Sequence, residues 1–199
     1  MGEVAPDHRD VFQSAAPVRV LLVEVDDAHI RTRVVPAVVF DDDSFFVASG
    51  RSSLKTYIDW IAPQHPMLFV HNTFTAANDL EKLNSRGQQA FWCLCPNANL
   101  YIENQLPDVD MLMATGANIC IGTDSLSSNH RLCVLSELAT LKKHLLQLDW
   151  ETLLRWGTYN GAKALGMENE IGSIAAGRQP GIVQITGLDS DAPVVKRIV

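Results

Sequence analysis

The chain has 199 residues, 47% of them hydrophobic, with 16 Lys and Arg against 23 Asp and Glu and a formal net charge of −7. That length can bury a real core, and the composition excludes wholesale disorder. The acidic balance excludes a general nucleic-acid binder, which needs clustered Lys and Arg, and no apolar run reaches the roughly 18–20 residues of a membrane span.

Met1–Pro17 is polar and without a clear period. Met1–Val20 lacks a basic start followed by an apolar stretch, so no signal peptide is expected. Val18–Val25 (VRVLLVEV) reads as a strand. Val34–Phe40 is a second apolar run, interrupted by Pro36. Asp41, Asp42 and Asp43 follow, and a solvated loop fits them better than a cation site.

From Ser52 the pattern becomes regular. Ser52 and Ser53 are candidate caps for a helix through Ala62, with Leu54, Tyr57, Ile58 and Ile61 on one face. Met67–Val70 is a short apolar strand that stops at His71. Ala76–Ser85 reads as a helix closed near Gly87. Ala90–Cys95 is a second strand, stopped by Pro96. Pro107 opens a helix through Thr115, with Gly116 as its end signal. Asn118–Ile121 is a third strand, running into Gly122-Thr123-Asp124-Ser125. Leu132–Leu148 and Trp150–Leu165 read as two long helices.

The strands are apolar along their whole length, which is the pattern of parallel strands covered by helices. Polar residues gather at the strand-to-helix junctions, where parallel α/β folds place their chemistry. After Gly166 the texture becomes β-rich. Ile171–Ile174, Ile182–Ile185 and Val194–Val199 are strand candidates. The four cysteines, Cys93, Cys95, Cys120 and Cys133, match no zinc-ribbon or disulfide framework. They read as free thiols of a reducing cytosol, and a cytoplasmic location is expected.

Ile119–Asn129 (ICIGTDSLSSN) is the most informative window. An apolar strand delivers Asp124 just past its end. Two roles stay open: a cap on the following helix, or a carboxylate at the mouth of the fold that ligates a metal or takes a proton. His71 also ends an apolar strand. By itself it fits a hydrogen-bonded structural residue; its position two strands before Asp124 brings both toward one site.

His71, then CPNANLYIE (Cys95–Glu103), then GTDSLSSN (Gly122–Asn129), then TYNGAKALGMENEIGSIAAGRQPGIV (Thr158–Val183) occur in this order. Together they resemble the C-terminal half of a metal-dependent hydrolase of the amidohydrolase superfamily. The nearest branch is the group of cytosine deaminases, chlorohydrolases and adenosine-type deaminases. The resemblance covers about Ser44 to Val199. It implies an α/β fold: the C-terminal half of a (β/α)8 TIM barrel over 44–166, plus a β-rich tail over 167–199 belonging to a composite β-sandwich. Residues 1–43 stay unmatched.

The resemblance also implies roles. Asp124 takes the place of a metal ligand and proton shuttle. His71 takes that of a metal ligand, or of a group holding the attacked atom. Asn99, Ser125 and Glu103 fall at substrate-side positions, although a helix-start surface role suits Glu103 better. Asn160-Gly161-Ala162 falls at a packing motif on the helix leaving the barrel. The implied cofactor is one divalent metal, Zn or Fe, and the implied partner is a small cyclic or amidine-like molecule attacked at a C–N or C–Cl bond.

The family also carries an HxH pair and a further His ligand. The six histidines here are His8, His29, His65, His71, His130 and His144, and none forms HxH. A catalytic zinc takes three protein ligands plus water, so His71 and Asp124 alone make a poor site. Two readings follow: a hydrolase incomplete as this chain, or a non-enzymatic or partner-dependent fragment. An open half-barrel is further expected to self-associate.

Overall fold

A computed structural model describes residues 19–23, 50–190 and 193–198. The apolar run at 34–40, the Asp41–Asp43 cluster, His8 and His29 lie outside the described residues. Four strands form one parallel sheet in the order β1 (Arg19–Val23), β2 (Met67–His71), β3 (Ala90–Leu94) and β4 (Asn118–Ile121). The register pairs Val23 with His71, Val70 with Cys93, and Leu94 with Ile121. All four strands therefore end at the same edge of the sheet. β1 lies in the segment that the family resemblance leaves unassigned, and it adds a fourth strand beside β2.

Seven helices accompany the strands among the described residues: α1 (Ser53–Ile58), α2 (Ala77–Ser85), α3 (Pro96–Glu103), α4 (Val109–Ala114), α5 (Val134–His144), α6 (Trp150–Gly157) and α7 (Tyr159–Ala164). Ser52 caps α1, its hydroxyl accepting from the Lys55 amide at 3.2 Å. The same hydroxyl donates to Asp79 Oδ1 at 2.8 Å, and Asp79 Oδ2 accepts from the Ala76 amide at 3.0 Å. One buried carboxylate thus ties the starts of α1 and α2 together.

The strands are apolar throughout because both sheet faces are covered. On one face Met67, Phe69, Trp92, Leu94 and Ile119 pack with Leu54, Ile58, Leu80, Leu112, Leu138 and Leu153 from the helices. Phe69 and Trp92 stack there at 4.9 Å between ring centroids. On the other face Leu68, Phe91 and Cys120 pack with Ala164 of α7. Asn160 fastens α7 to the sheet, its amide donating to the Ile119 carbonyl at 2.7 Å. The exposed apolar face expected of an open sheet is absent at Leu68, Phe91 and Cys120, which are all buried.

Several local readings are corrected. The expected helix over 150–165 is two helices, because Thr158 leaves the helical region (φ −131°, ψ −85°). Pro96 stops β3 and also opens α3, a helix the pattern at 96–103 did not announce. α4 begins after Pro107, capped by Asp108, which accepts from the Met111 amide at 2.9 Å. α1 ends at Ile58, ahead of the expected Ala62. Residues 171–174 form no strand. Among the described residues the β-rich tail holds β5 (Val183–Thr186) and β6 (Val194–Arg197), antiparallel to each other and largely exposed. No described helix is long and apolar enough to cross a membrane.

Candidate functional site

His71 and Asp124 meet at the C-terminal edge of the sheet. The Nε2 of His71 lies 3.7 Å from Oδ2 of Asp124. The two residues come from β2 and from the turn after β4, with β3 between them. His71 (φ 66°), Asn72 (φ 54°) and Asp124 (φ 54°) are all left-handed. Such a backbone costs energy at non-glycine residues and collects at functional sites. It lets the chain turn sharply at the strand end, so that both side chains face one point. The His71 side chain is 9% exposed and that of Asp124 30%, so the pair opens toward solvent on the carboxylate side.

Asp124 is not a helix cap. The next helix is α5, which starts at Val134 with Cys133 at its cap position. Asp124 is held instead by its own turn: the Ser128 hydroxyl donates to its Oδ2 at 2.5 Å, and the Asn129 amide donates to the Thr123 carbonyl at 2.8 Å.

The other sequence-derived candidates are placed differently. Asn99 is buried, and its amide donates to the Thr73 hydroxyl at 2.7 Å, two residues after His71. Its Oδ1 is buried and has no hydrogen-bond partner among the described residues. Ser125 is exposed and bonds within its own turn, to the Ser127 hydroxyl at 2.9 Å. Glu103 is the last residue of α3 rather than the first, with Oε2 buried and without a partner among the described residues. Among the described residues it makes no hydrogen bond to His71, Asp124 or Asn99.

Three thiols lie beneath the pair. Cys93 and Cys120 are register partners on adjacent strands. The contact with Cys120 pushes the Cys93 thiol up to about 12, and the contact with Cys93, then burial, raises that of Cys95 further. Gly122 makes room for this cluster: a Cβ there would sit 2.7 Å from Cys93 Sγ and 3.2 Å from Cys95 Sγ. All four cysteines are free.

Among the described residues, no group of three His, Cys, Asp or Glu side chains is arranged to hold a metal ion. His71 and Asp124 supply two donors, one short of the usual catalytic zinc set. The remaining described histidines are elsewhere: His65 precedes β2, His130 is exposed, and His144 ends α5. The described residues therefore do not by themselves fit a catalytic metal. A cavity of about 100 Å³, bordered by Leu83, Gln88, Trp92, Thr115 and Asn118, lies at the opposite, N-terminal end of the strands and is no part of this site.

Sequence reasoning missed Glu137, Asn97 and Asn129. Glu137 is completely buried on α5, and it accepts from the Asn97 backbone and side-chain amides, each at 2.8 Å, and from the Asn129 side chain at 2.6 Å. The available signal was its spacing, because Glu137 falls among Val134, Leu138 and Leu141 on an otherwise apolar helix stripe.

The chain is similar in sequence and fold to known proteins. Residues 50–199 match the model of the Amidohydrolase family. The chain is 38% identical over 127 residues to an adenosine deaminase of Helicobacter pylori (strain ATCC 700392 / 26695), a match covering 62% of this chain and 30% of that protein. It is 28% identical over 184 residues to a 5-methylthioadenosine/S-adenosylhomocysteine deaminase of Teredinibacter turnerae (strain ATCC 39867 / T7901), covering 88% of this chain and 41% of that protein. The crystal structure of an adenosine deaminase from Xanthomonas campestris with bound Zn superposes with a TM-score of 0.59 at 30% identity, covering 68% of this chain and 32% of that one. The chain thus spans between 30% and 41% of the length of these proteins.

Proposed function

The chain belongs to the amidohydrolase family, and from that premise we propose that it forms part of a C–N bond hydrolase of the deaminase type. In this reading β2, β3 and β4 with their helices are late strand–helix units of a (β/α)8 barrel, and β5 and β6 belong to a small sandwich. The substrate class is an aminopurine nucleoside, as the names of the similar deaminases suggest. A chloride on the same sp2 carbon is the other leaving group that the chemistry admits.

The carrying observation is the 3.7 Å approach of His71 to Asp124 across the strand between them. Deamination adds the oxygen of water to an sp2 carbon and releases the amino group as ammonia. One proton of the water must reach the departing nitrogen. In this reading Asp124 accepts that proton at Oδ2 and returns it, which its tether to Ser128 and its opening to solvent support. His71, in the same reading, holds a polar atom of the substrate beside it. Asn99 acts from below, through Thr73, on the turn that carries His71.

The family generally works with a divalent metal. His71 and Asp124 are the donors this chain would offer to Zn or Fe. The described residues supply no third donor beside them. That same observation favours a second reading, a fragment without activity of its own or dependent on a partner for the remaining ligands. A cytosolic setting is part of this reading, in keeping with four free thiols.

The test is metal analysis of the purified chain, with an ammonia-release assay on an aminopurine nucleoside. The assay is run on the chain alone and on the chain fused to the preceding barrel units of a related deaminase. Less than one Zn or Fe per chain and no turnover are expected alone; ammonia is expected from the fusion and lost in Asp124→Asn. A tightly bound ion and turnover in the isolated chain overturn its incompleteness. A silent fusion favours the second reading.

A further inference from the structure

α5 carries a carboxylate that the chemistry above does not use. Glu137 is completely buried, and its three hydrogen-bond partners are all amide donors. Its Oε1 receives the side chains of Asn97 and Asn129, and its Oε2 receives the Asn97 backbone N–H. A protonated carboxyl would need an acceptor, and none of these partners is one, so the contacts suit the ionised form. Burial pushes its carboxyl above the ordinary range, and the amide donors oppose that shift. No Lys or Arg among the described residues pairs with it. An uncompensated buried carboxylate is costly, and replacing it by an apolar residue would be an inexpensive way to build a core.

What distinguishes Glu137 is where its partners lead. Asn129 belongs to the turn after β4, and its amide also donates to the carbonyl of Thr123, the residue before Asp124. Ser128, beside Asn129, donates to Asp124 itself. Asn97 belongs to the first turn of α3, and its Oδ1 accepts from the Thr140 hydroxyl at 2.6 Å. Two residues on, Asn99 holds Thr73, which follows His71. The hydrogen bonds thus run from the Asp124 turn through Asn129, Glu137 and the start of α3 to the His71 turn.

We propose that Glu137 is a positioning residue, a buried anionic clamp that fixes the Asp124 turn to the start of α3 and so sets where Asp124 meets His71. The proposal rests on the reading of His71 and Asp124 as the chemical pair. Its mechanical content is independent of turnover: the clamp acts on the folded chain whether or not a metal or substrate is present.

The experiment compares the 199-residue chain with its Glu137→Gln and Asn129→Ala variants, using Glu151→Gln on the exposed start of α6 as control. Gln keeps the size of Glu but turns an N–H₂ toward at least one amide donor. Two quantities are read: deuterium uptake over 122–130 against that over α2, and the NMR resonances of the His71 imidazole. In Glu137→Gln, exchange over 122–130 should accelerate about tenfold or more while α2 is unchanged, and the His71 resonances should move. Asn129→Ala should reproduce both effects, and the control neither.

Wild-type exchange and wild-type His71 resonances in a folded Glu137→Gln overturn the proposal. So does uniform acceleration that includes α2 with His71 unmoved, because that describes a core residue holding the fold together and nothing more. If Glu137→Gln does not fold, Asn129→Ala decides on the same two readouts. Neither readout uses ammonia release, so failure of the deaminase reading and failure of the clamp are separate results.

Discussion

The imidazole of His71 and the carboxylate of Asp124 stand 3.7 Å apart although β3 runs between the strands that deliver them. Three parallel strands ending at one edge bring their following turns together there, and left-handed backbones at His71 and Asp124 aim both side chains at the gap. The floor beneath this pair is the cluster of Cys93, Cys95 and Cys120, closed around a glycine.

Gly122→Ala tests that floor. The new methyl would meet Cys93 Sγ at 2.7 Å and Cys95 Sγ at 3.2 Å, so the strand end or both thiols must shift. A loss of about 1–3 kcal/mol is expected from overpacking, measured by urea unfolding. An unchanged midpoint would show that the thiols yield freely and that the turn does not depend on them.

The thiols themselves should be unreactive in the folded chain. Cys93 is held near 12 by its contact with Cys120, and Cys95 is buried and raised further. Only the thiolate alkylates, so at neutral pH iodoacetamide should label Cys133, at the start of α5, well before either. Peptide mass spectrometry after brief labelling reads the order. Early modification of Cys95 would contradict the packing described.

The main core rests on the stacked pair Phe69 and Trp92. Phe69 is fully buried between the sheet and its helices. Phe69→Ala should cost about 3–5 kcal/mol, through lost burial and the cavity left behind. The check is equilibrium denaturation; a cost below about 1 kcal/mol would mean that this sheet face is not the core.

Asp59 gives the fold an acid-sensitive seam. Lys82 lies 2.7 Å away and Arg51 2.5 Å, and their hydrogen bonds lower its carboxyl from 3.8 to about 2. A depressed acid stabilises the folded chain above its unfolded pKa and loses that contribution as pH falls through its folded value. The stability difference between wild type and Asp59→Asn should therefore be full above about pH 4 and vanish near pH 2. Because Asp59 is on the surface, added salt should shrink the difference at neutral pH. A difference that persists at the acid end would assign the effect to something other than this charge.

Self-association should start at β5 and β6. Val183, Val194, Val195 and Ile198 are exposed on a two-stranded ladder, whereas the sheet face of Leu68 and Phe91 is buried. Val183→Lys with Val195→Lys should reduce the apparent mass in light scattering, since charge on edge strands blocks pairing. A monodisperse wild-type monomer would remove the premise.

Much of the fold was legible along the chain. Wholly apolar strands between helix patterns announce a covered parallel sheet, and all three sheet strands after Ser52 lie where the pattern puts them. The tail was less legible: Ile171–Ile174 has strand-like composition, but no strand among the described residues pairs with it. The break at Thr158 was invisible because the apolar period continues across it, and α3 was hidden because Pro96 signals both the end of a strand and the start of a helix.

The sequence alone determined which residues could do chemistry. A carboxylate and an imidazole after apolar strands are local facts, and the order of the motifs around them names the family. Only the tertiary structure decided that these two side chains meet, that Asp124 caps no helix, and that Glu137 accepts from both Asn129 and Asn97. Those outcomes depend on register across β3 and on which buried donors face one carboxylate. Both are contacts between residues far apart in the chain, and a period read along it carries no record of them.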